Sequence, residues 1–282
     1  MLPFLQVRKL SIVMLVCCLP ALSPSWGKPV NDTINLPATE DTLKLFFNNL
    51  ASARTPEERK KINGNITGLL GRVLLYDGSF EYPFDSLRSL GRIASQDNLL
   101  RIFTWNYSDS PVDHRYSGFI QYRENDSISL YHLQQGEKDK EEFGSRVFAP
   151  ENWYGVLYYQ VHDVIYSGRT YYTLIGFDFN DIFSHIKIID VLTFEQGSPV
   201  FGAPIFQFRD EIRNRVIFEY SARAVMLLRY VPERDMIIYD NLAPGSPRLR
   251  GQYRYYGPVF SYDGLRFEKG RWVHQPDVDW RP

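Results

Sequence analysis

Apolar positions recur at two different periods along this chain. Between residues 39 and 78 they fall three and four apart, as Leu43, Phe46, Phe47 and Leu50 and then Ile62, Ile66, Leu69, Leu70 and Val73. That spacing lines one side of a helix, a stripe that must be buried against something. Thr39 is placed to cap the first helix. The second has a sharper start in "TPEE": Thr55 as the cap, Pro56 at the first helical position, and Glu58 three residues on to close a capping box. Asn63 and Gly64 weaken the middle of this helix, the glycine by about 1 kcal/mol relative to alanine. Residues 28–38, polar and holding Pro29 and Pro37, predict a tether ahead of the helical segment.

After "YDGSFEYPFDSL" the pattern changes to alternation broken by turn residues, the mark of antiparallel strands. Hairpins are predicted around Gln96-Asp97-Asn98, Glu124-Asn125-Asp126 and Ser167-Gly168. Further strands follow in "HIKIIDVLTF", "PIFQFRD", "RVIFEYSARAVMLLRYV", "DMIIYDNL", "YRYYG" and "LRFEKGRWV", about a dozen in all, with no further helix. The expected fold is mainly β: one large antiparallel domain over residues 79–282 behind a short helical segment at 39–78. An acidic turn before an alternating strand recurs at 95–103, 232–240 and 261–273, which keeps a partial propeller open beside a twisted meander or a barrel. The charged stretch "QQGEKDKEEFGS", Gln134 to Ser145, is predicted to be a mobile loop.

The first residues change the picture of where the chain works. Arg8 and Lys9 precede an apolar run from Leu10 to Leu19, and Ser25 and Gly27 suit the −3 and −1 positions of a cleavage site before Lys28. That is the layout of a secretory signal peptide over residues 1–27. Pro20 and Pro24 interrupt the run, which argues against a membrane anchor, and no later segment has the length of a membrane span. Val16 ahead of Cys17 fits lipid attachment poorly. Both cysteines, Cys17 and Cys18, lie in the leader, so the mature chain has no disulfide and no Cys-based metal site. Loss of Arg8 and Lys9 leaves 30 basic against 33 acidic residues, a balance that argues against a nucleic-acid partner.

The runs "RVIFEYSARAVMLLRY", "MIIYDNLAP" and "YYGPVFSYDGLRFEKGRWVHQPDVD" resemble the C-terminal half of a family of uncharacterised exported proteins of Bacteroidetes-type bacteria. "RIFTWN", "WYGVLYY", "FDFNDIFSHIKIIDVL" and "FGAPIF" are similar to its upstream part, so the likeness spans roughly residues 80 to 280. The resemblance implies bacterial export and residence in the periplasm or cell envelope, and no chemistry. It also makes the glycan-acceptor triplets at Asn31, Asn65, Asn106 and Asn125 idle, since they act only in a eukaryotic pathway.

Candidate chemistry concentrates in "GFDFNDIFSHIKIIDVL". On a helix Asp178, Asp181 and His185 would share a face and could ligate a divalent cation. Strands on both sides favour a turn, in which the acids bond back to local backbone. His185 and Asp190 then belong to the next strand and point to opposite faces. A second candidate is the strand face of Arg215, Ile217, Glu219, Ser221 and Arg223, where Glu219, with Asp240, is a catalytic candidate or part of an ion-paired sheet face. Trp153, Tyr154, Tyr253, Tyr255 and Tyr256 form two aromatic groups that either bind a ligand or fill the core. No nucleophile elbow, phosphate loop or dinucleotide fingerprint occurs, and no cofactor is expected. These readings favour a non-catalytic binding or assembly protein of the envelope, taking an envelope protein, a carbohydrate or a peptide. The alternative is an envelope hydrolase, with or without a metal ion, at Asp178, Asp181 and His185 or on the Glu219 face.

Overall fold

A computed structural model describes residues 34–110, 113–125, 127–137 and 143–280. The expected leader, the first residues of the expected tether and the middle of the Gln134 to Ser145 stretch lie outside the described residues.

The first helix, α1 (Leu36–Ser52), starts earlier than its sequence suggests. Asn35 caps it, accepting from the Ala38 N–H at 3.1 Å, so residues 36–38 of the expected tether are helical. Pro37 sits in the first turn, where an N–H has no intrahelical acceptor and proline costs nothing. Thr39 is inside the helix, its hydroxyl donating back to the Asn35 carbonyl at 2.8 Å. The second helix, α2 (Pro56–Leu74), is capped by Thr55 as expected, and the Glu58 carboxylate accepts from the Arg54 N–H at 2.9 Å, one residue before the position predicted. It runs unbroken through Asn63, whose amide is used in docking. The Trp105 indole donates to Asn63 Oδ1 at 2.7 Å, and Asn63 Nδ2 donates to Ser117 Oγ at 3.3 Å.

Four strands follow, β1 (Gly91–Ala94), β2 (Leu100–Ser110), β3 (Asp113–Glu124) and β4 (Ser127–Gln134), paired in that order as one antiparallel sheet. Next come β5 (Leu157–Tyr166), β6 (Arg169–Asp178), β7 (Ser184–Glu195) and β8 (Ser198–Phe201), the short pair β9 (Phe206–Gln207) and β10 (Ile212–Arg213), and β11 (Val216–Ser221). The chain closes with β12 (Leu228–Val231), β13 (Met236–Pro244), β14 (Tyr256–Glu268) and β15 (Arg271–Gln275). The second sheet has the order β11-β7-β6-β5 with β8 on β7, and the third β10-β9-β15-β14-β13-β12. Pairing is antiparallel except between β15 and β9. The fold is mainly β with antiparallel sheets, including one curled into a half-barrel, and two helices near the N-terminus.

The predicted hairpins close at residues that tolerate left-handed backbone, Asn98, Asn125 and Ser167-Gly168, with φ of 57°, 48°, 51° and 77°. Three expectations fail locally. "RVIFEYSARAVMLLRYV" is two strands, because Ala222 bonds to the Phe183 carbonyl and the chain turns at Ser221–Ala224. "YRYYG" is a 3-10 turn, Tyr253–Tyr255, leading into β14. The third acidic "turn" is interior to β14, where Asp263 accepts from Asn241 at 2.9 Å and meets His274 at 2.7 Å.

Three cores separate four layers. Leu43, Phe47, Ile66 and Leu70 of the helices pack on Phe103, Trp105 and Phe119 of the first sheet. The opposite face of that sheet, with Ile102 and Ile120, meets Leu174, Ile186 and Ile188 of the second. The second sheet then turns Ile175, Ile189 and Val191 against Ile237, Leu265 and Trp272 of the third. Strands β6 and β7 are therefore apolar on both faces, which explains why "TLIGF" and "IKIIDVL" read as runs more than as alternation. Arg101, on β2, is buried and donates to the carbonyls of Ser79, Phe80 and Tyr82, at 2.7, 2.6 and 3.0 Å, tying the helix-to-sheet connection down. Burial pushes its guanidinium down to about 10.

His162 on β5 stacks on Tyr230 of the third sheet at 3.7 Å, and its Nδ1 is buried without a hydrogen-bond partner among the described residues. Burial holds its pKa below the usual 6.5, against the pull of Asp163 and Asp235. The unfolded chain therefore takes up a proton that the folded one resists. Stability is full above pH 6.5 and declines as the pH falls from there toward the lower folded value. Thermal melts across that window should show a smaller loss for His162→Phe, which keeps the stack but cannot charge; an equal loss would clear His162 of the effect.

Candidate binding cleft

The three residues that on a helix would form a cation site are placed on a strand end and a turn. Asp178 closes β6 and is fully buried, accepting from the Tyr116 hydroxyl at 2.8 Å, the Tyr154 hydroxyl at 3.2 Å and the Asn180 N–H at 2.8 Å. Asp181 accepts from the N–H groups of Phe183 and Ser184, at 2.7 and 2.8 Å, and shapes the turn that its sequence suggested. His185 is on β7 among Phe177, Phe179 and Tyr220; burial lowers its pKa, with Asp178 and Asp181 opposing. The extended backbone is the reason these side chains do not converge on an ion. Among the described residues no group of three or more His, Cys, Asp or Glu is placed to hold a metal.

The catalytic pair fares similarly. Glu219 accepts from Ser184 Oγ at 2.6 Å and from Asn180 Nδ2 at 3.3 Å, so it joins Asp178 and Asp181 in one hydrogen-bonded brace around the β6–β7 turn. Ser184, the one nucleophile in this brace, is buried. Asp240 lies elsewhere, on β13 at a bulge, and accepts from the Leu227 N–H at 2.6 Å. Burial pushes its carboxyl up, with the Leu227 N–H and Lys187 opposing. Arg215, assigned by alternation to the polar face of Glu219, is fully buried and meets Asp190 at 3.3 Å. Asp190 faces the core shared by the first two sheets, opposite to His185 as expected, and burial raises its carboxyl against the pull of Arg215.

The two aromatic groups part company. Trp153 and Tyr154 are buried, the first with its indole donating to the Tyr158 hydroxyl at 3.2 Å and the second stacked on Phe143 at 3.3 Å, so they are core residues and not a binding face. Their phenolic and indole groups have internal partners, which is what lets them be buried. Tyr253 and Tyr255 are exposed and Tyr256 half-buried, and the last two line a cleft of about 720 Å³.

This cleft is built from connections. The β6–β7 turn brings Ile182 and Phe183, the turn after β11 brings Arg223, and the start of β14 and the 3-10 turn before it bring Tyr256, Tyr255 and Arg254. The Gly245 N–H bonds to the Tyr255 carbonyl at 3.0 Å and closes the 246–254 segment into a loop on this rim. The Arg254 guanidinium lies 4.9 Å from the Tyr255 ring centroid and 5.8 Å from that of Phe183. No carboxylate lines the cleft, and neither Arg223 nor Arg254 has an acidic partner among the described residues. An anion with an apolar body matches such a site: the walls take the body and the two guanidiniums the charge. Ile182, Phe183 and Arg254 were missed by sequence reasoning, and Arg223 was named only on the strand face of Glu219. The available signals were an apolar pair set inside a polar turn, and the absence of any acid between residues 241 and 262 beside three arginines.

No family model, no curated protein and no solved structure matches this chain.

Proposed function

We propose that this is a non-catalytic binding protein exported to the cell envelope, and that it holds its ligand in the cleft between the β6–β7 turn and the start of β14. Export is supported by the leader pattern of residues 1–27. The observation that carries the binding reading is the pairing of two acid-free guanidiniums with aromatic walls. The ligand class is an anionic molecule with an apolar or ring-shaped body, a description that covers acidic sugars and peptides ending in a carboxylate. The hydrolase alternative has less support, because Ser184, the hydroxyl that donates to Glu219, is buried.

The test uses 8-anilinonaphthalene-1-sulfonate, a ring system carrying one anionic group. It should bind with enhanced fluorescence, and Arg254→Gln should weaken it by about tenfold to a hundredfold, the effect of losing a charge-assisted hydrogen bond of about 1.5–3 kcal/mol. Unchanged affinity in Arg254→Gln and in Arg223→Gln would remove the cleft as the binding site.

A further inference from the structure

Half of the large apolar side chains exposed among the described residues crowd around this one cleft. The most exposed do not line it; they crown it. Phe260 is 110% exposed and Val225 is 89% exposed, each next in sequence to a lining residue, Val259 and Ala224. Ile182 and Phe183, at 55% each, top the β6–β7 turn. Phe260 projects because the two strands lose register there. Asp240 faces Tyr262 and Leu242 faces Pro258, so Asn241 alone stands opposite Val259, Phe260 and Ser261. The protrusion is braced: Asn241 Nδ2 donates to Ser261 Oγ at 3.1 Å and to Asp263 Oδ1 at 2.9 Å.

The exposed charge beside this crest is mostly basic, and its nearest acids, Asp181 and Asp263, are engaged with the turn N–H groups and with Asn241 and His274. Arg223, Arg248, Arg250 and Arg254 are exposed, none has an acidic partner among the described residues, and residues 241–262 contain no acid. The whole chain carries a formal net charge of −1, so four cations on the turn after β11 and the 246–254 loop are a local segregation of charge.

We propose that this crest docks the protein on an anionic membrane surface, with Phe260, Val225, Ile182 and Phe183 entering the headgroup boundary and the four arginines meeting lipid phosphates. This goes beyond the ligand in the cleft and rests on the same face being the recognition face. A second copy of the chain is disfavoured as the occupant, because a two-fold contact would set the arginines against each other. An acidic peptide lying in the cleft would leave Phe260 and Val225 untouched on their crests. A planar lipid surface meets apolar tips and basic rim together, which is the pattern of peripheral membrane binding.

The test is vesicle flotation of the chain from Lys28 onward, with vesicles of pure phosphatidylcholine or of equimolar phosphatidylcholine and phosphatidylglycerol. Expected is binding to the anionic vesicles only, weakened by salt, cut about tenfold or more in Val225→Ser/Phe260→Ser, and lost when the four arginines become glutamine. Both serine changes are at exposed positions, so circular dichroism should be unaltered, and naphthalenesulfonate binding should persist in that variant. Absence of flotation by the unmodified chain, equal binding to both vesicles, or undiminished binding by the variants would overturn the proposal. So would capture of poly-glutamate without vesicle binding, which would assign the face to an acidic polypeptide. If flotation fails while naphthalenesulfonate still binds, only the membrane proposal falls; loss of both removes the cleft reading as well.

Discussion

Arg215→Met is expected to destabilise the fold by about 3–5 kcal/mol, the cost of leaving a buried charge without its partner. Arg215 and Asp190 have side-chain exposures of 0% and 1%, and their nearest atoms are 3.3 Å apart. The guanidinium also donates to the carbonyls of Phe143, Arg146 and Phe201, so three backbone acceptors lose their donor with it. Gly202 records how closely the group is held: a Cβ there would stand 2.6 Å from Arg215 Nη2, and its φ of 95° favours glycine as well. Urea unfolding of the variant should show a lower midpoint at unchanged slope. Arg215→Met/Asp190→Leu should recover much of the loss, because an apolar pair of similar volume has no charge to strand. A single variant within about 1 kcal/mol of the unmodified protein would mean that solvent reaches Asp190, and the buried pair would have to be abandoned.

Trp272→Ala should cost a comparable amount, about 3–5 kcal/mol, for a different reason: it opens a cavity between two sheets. Trp272 on β15 is fully buried, packs edge-on to Phe267, Tyr230 and His162, and donates its indole N–H to Thr173 on β6 at 2.9 Å. It is thus both a filler and one of the polar links between the second and third sheets. Hydrogen exchange should quicken in β9, β14 and β15 more than in the helices and the first sheet, whose cores do not include it. Uniform quickening across all four layers would contradict the assignment of Trp272 to that single junction. Because the cleft spans connections of both sheets, naphthalenesulfonate affinity should fall in the same variant.

What sequence reasoning captured is what local chemistry decides. Thr55 and Pro56 announce a helix start within one turn, and Asn98, Asn125 and Ser167-Gly168 close hairpins between neighbouring strands. Asn35 escaped notice because Pro37 read as a tether residue although it suits a first turn. The order of layers was not legible. Strands such as β7 are apolar on both faces, so their pattern does not say which neighbour each face meets. The acids of residues 178–190 looked like one site because they are close in sequence. Their partners are far away: Tyr116 and Tyr154 reach Asp178 across 62 and 24 positions. The cleft needs three distant connections to meet, and no local period encodes that.

The Asp190–Arg215 pair has a consequence for how the second sheet is assembled. The ladder sets Val216 opposite Ile189, so Arg215 falls opposite Asp190 just beyond the end of β11. Apolar residues in β7 and β11 alone leave a slipped ladder tolerable, since isoleucine, valine and phenylalanine fill either face. A slip of one residue would send the arginine to the wrong side and leave the carboxylate among Leu174, Ile188 and Leu192; a slip of two would stretch the contact to a diagonal of about 7–8 Å. The pair therefore acts as a key that admits one alignment, in a strand whose greasy neighbours would accept several.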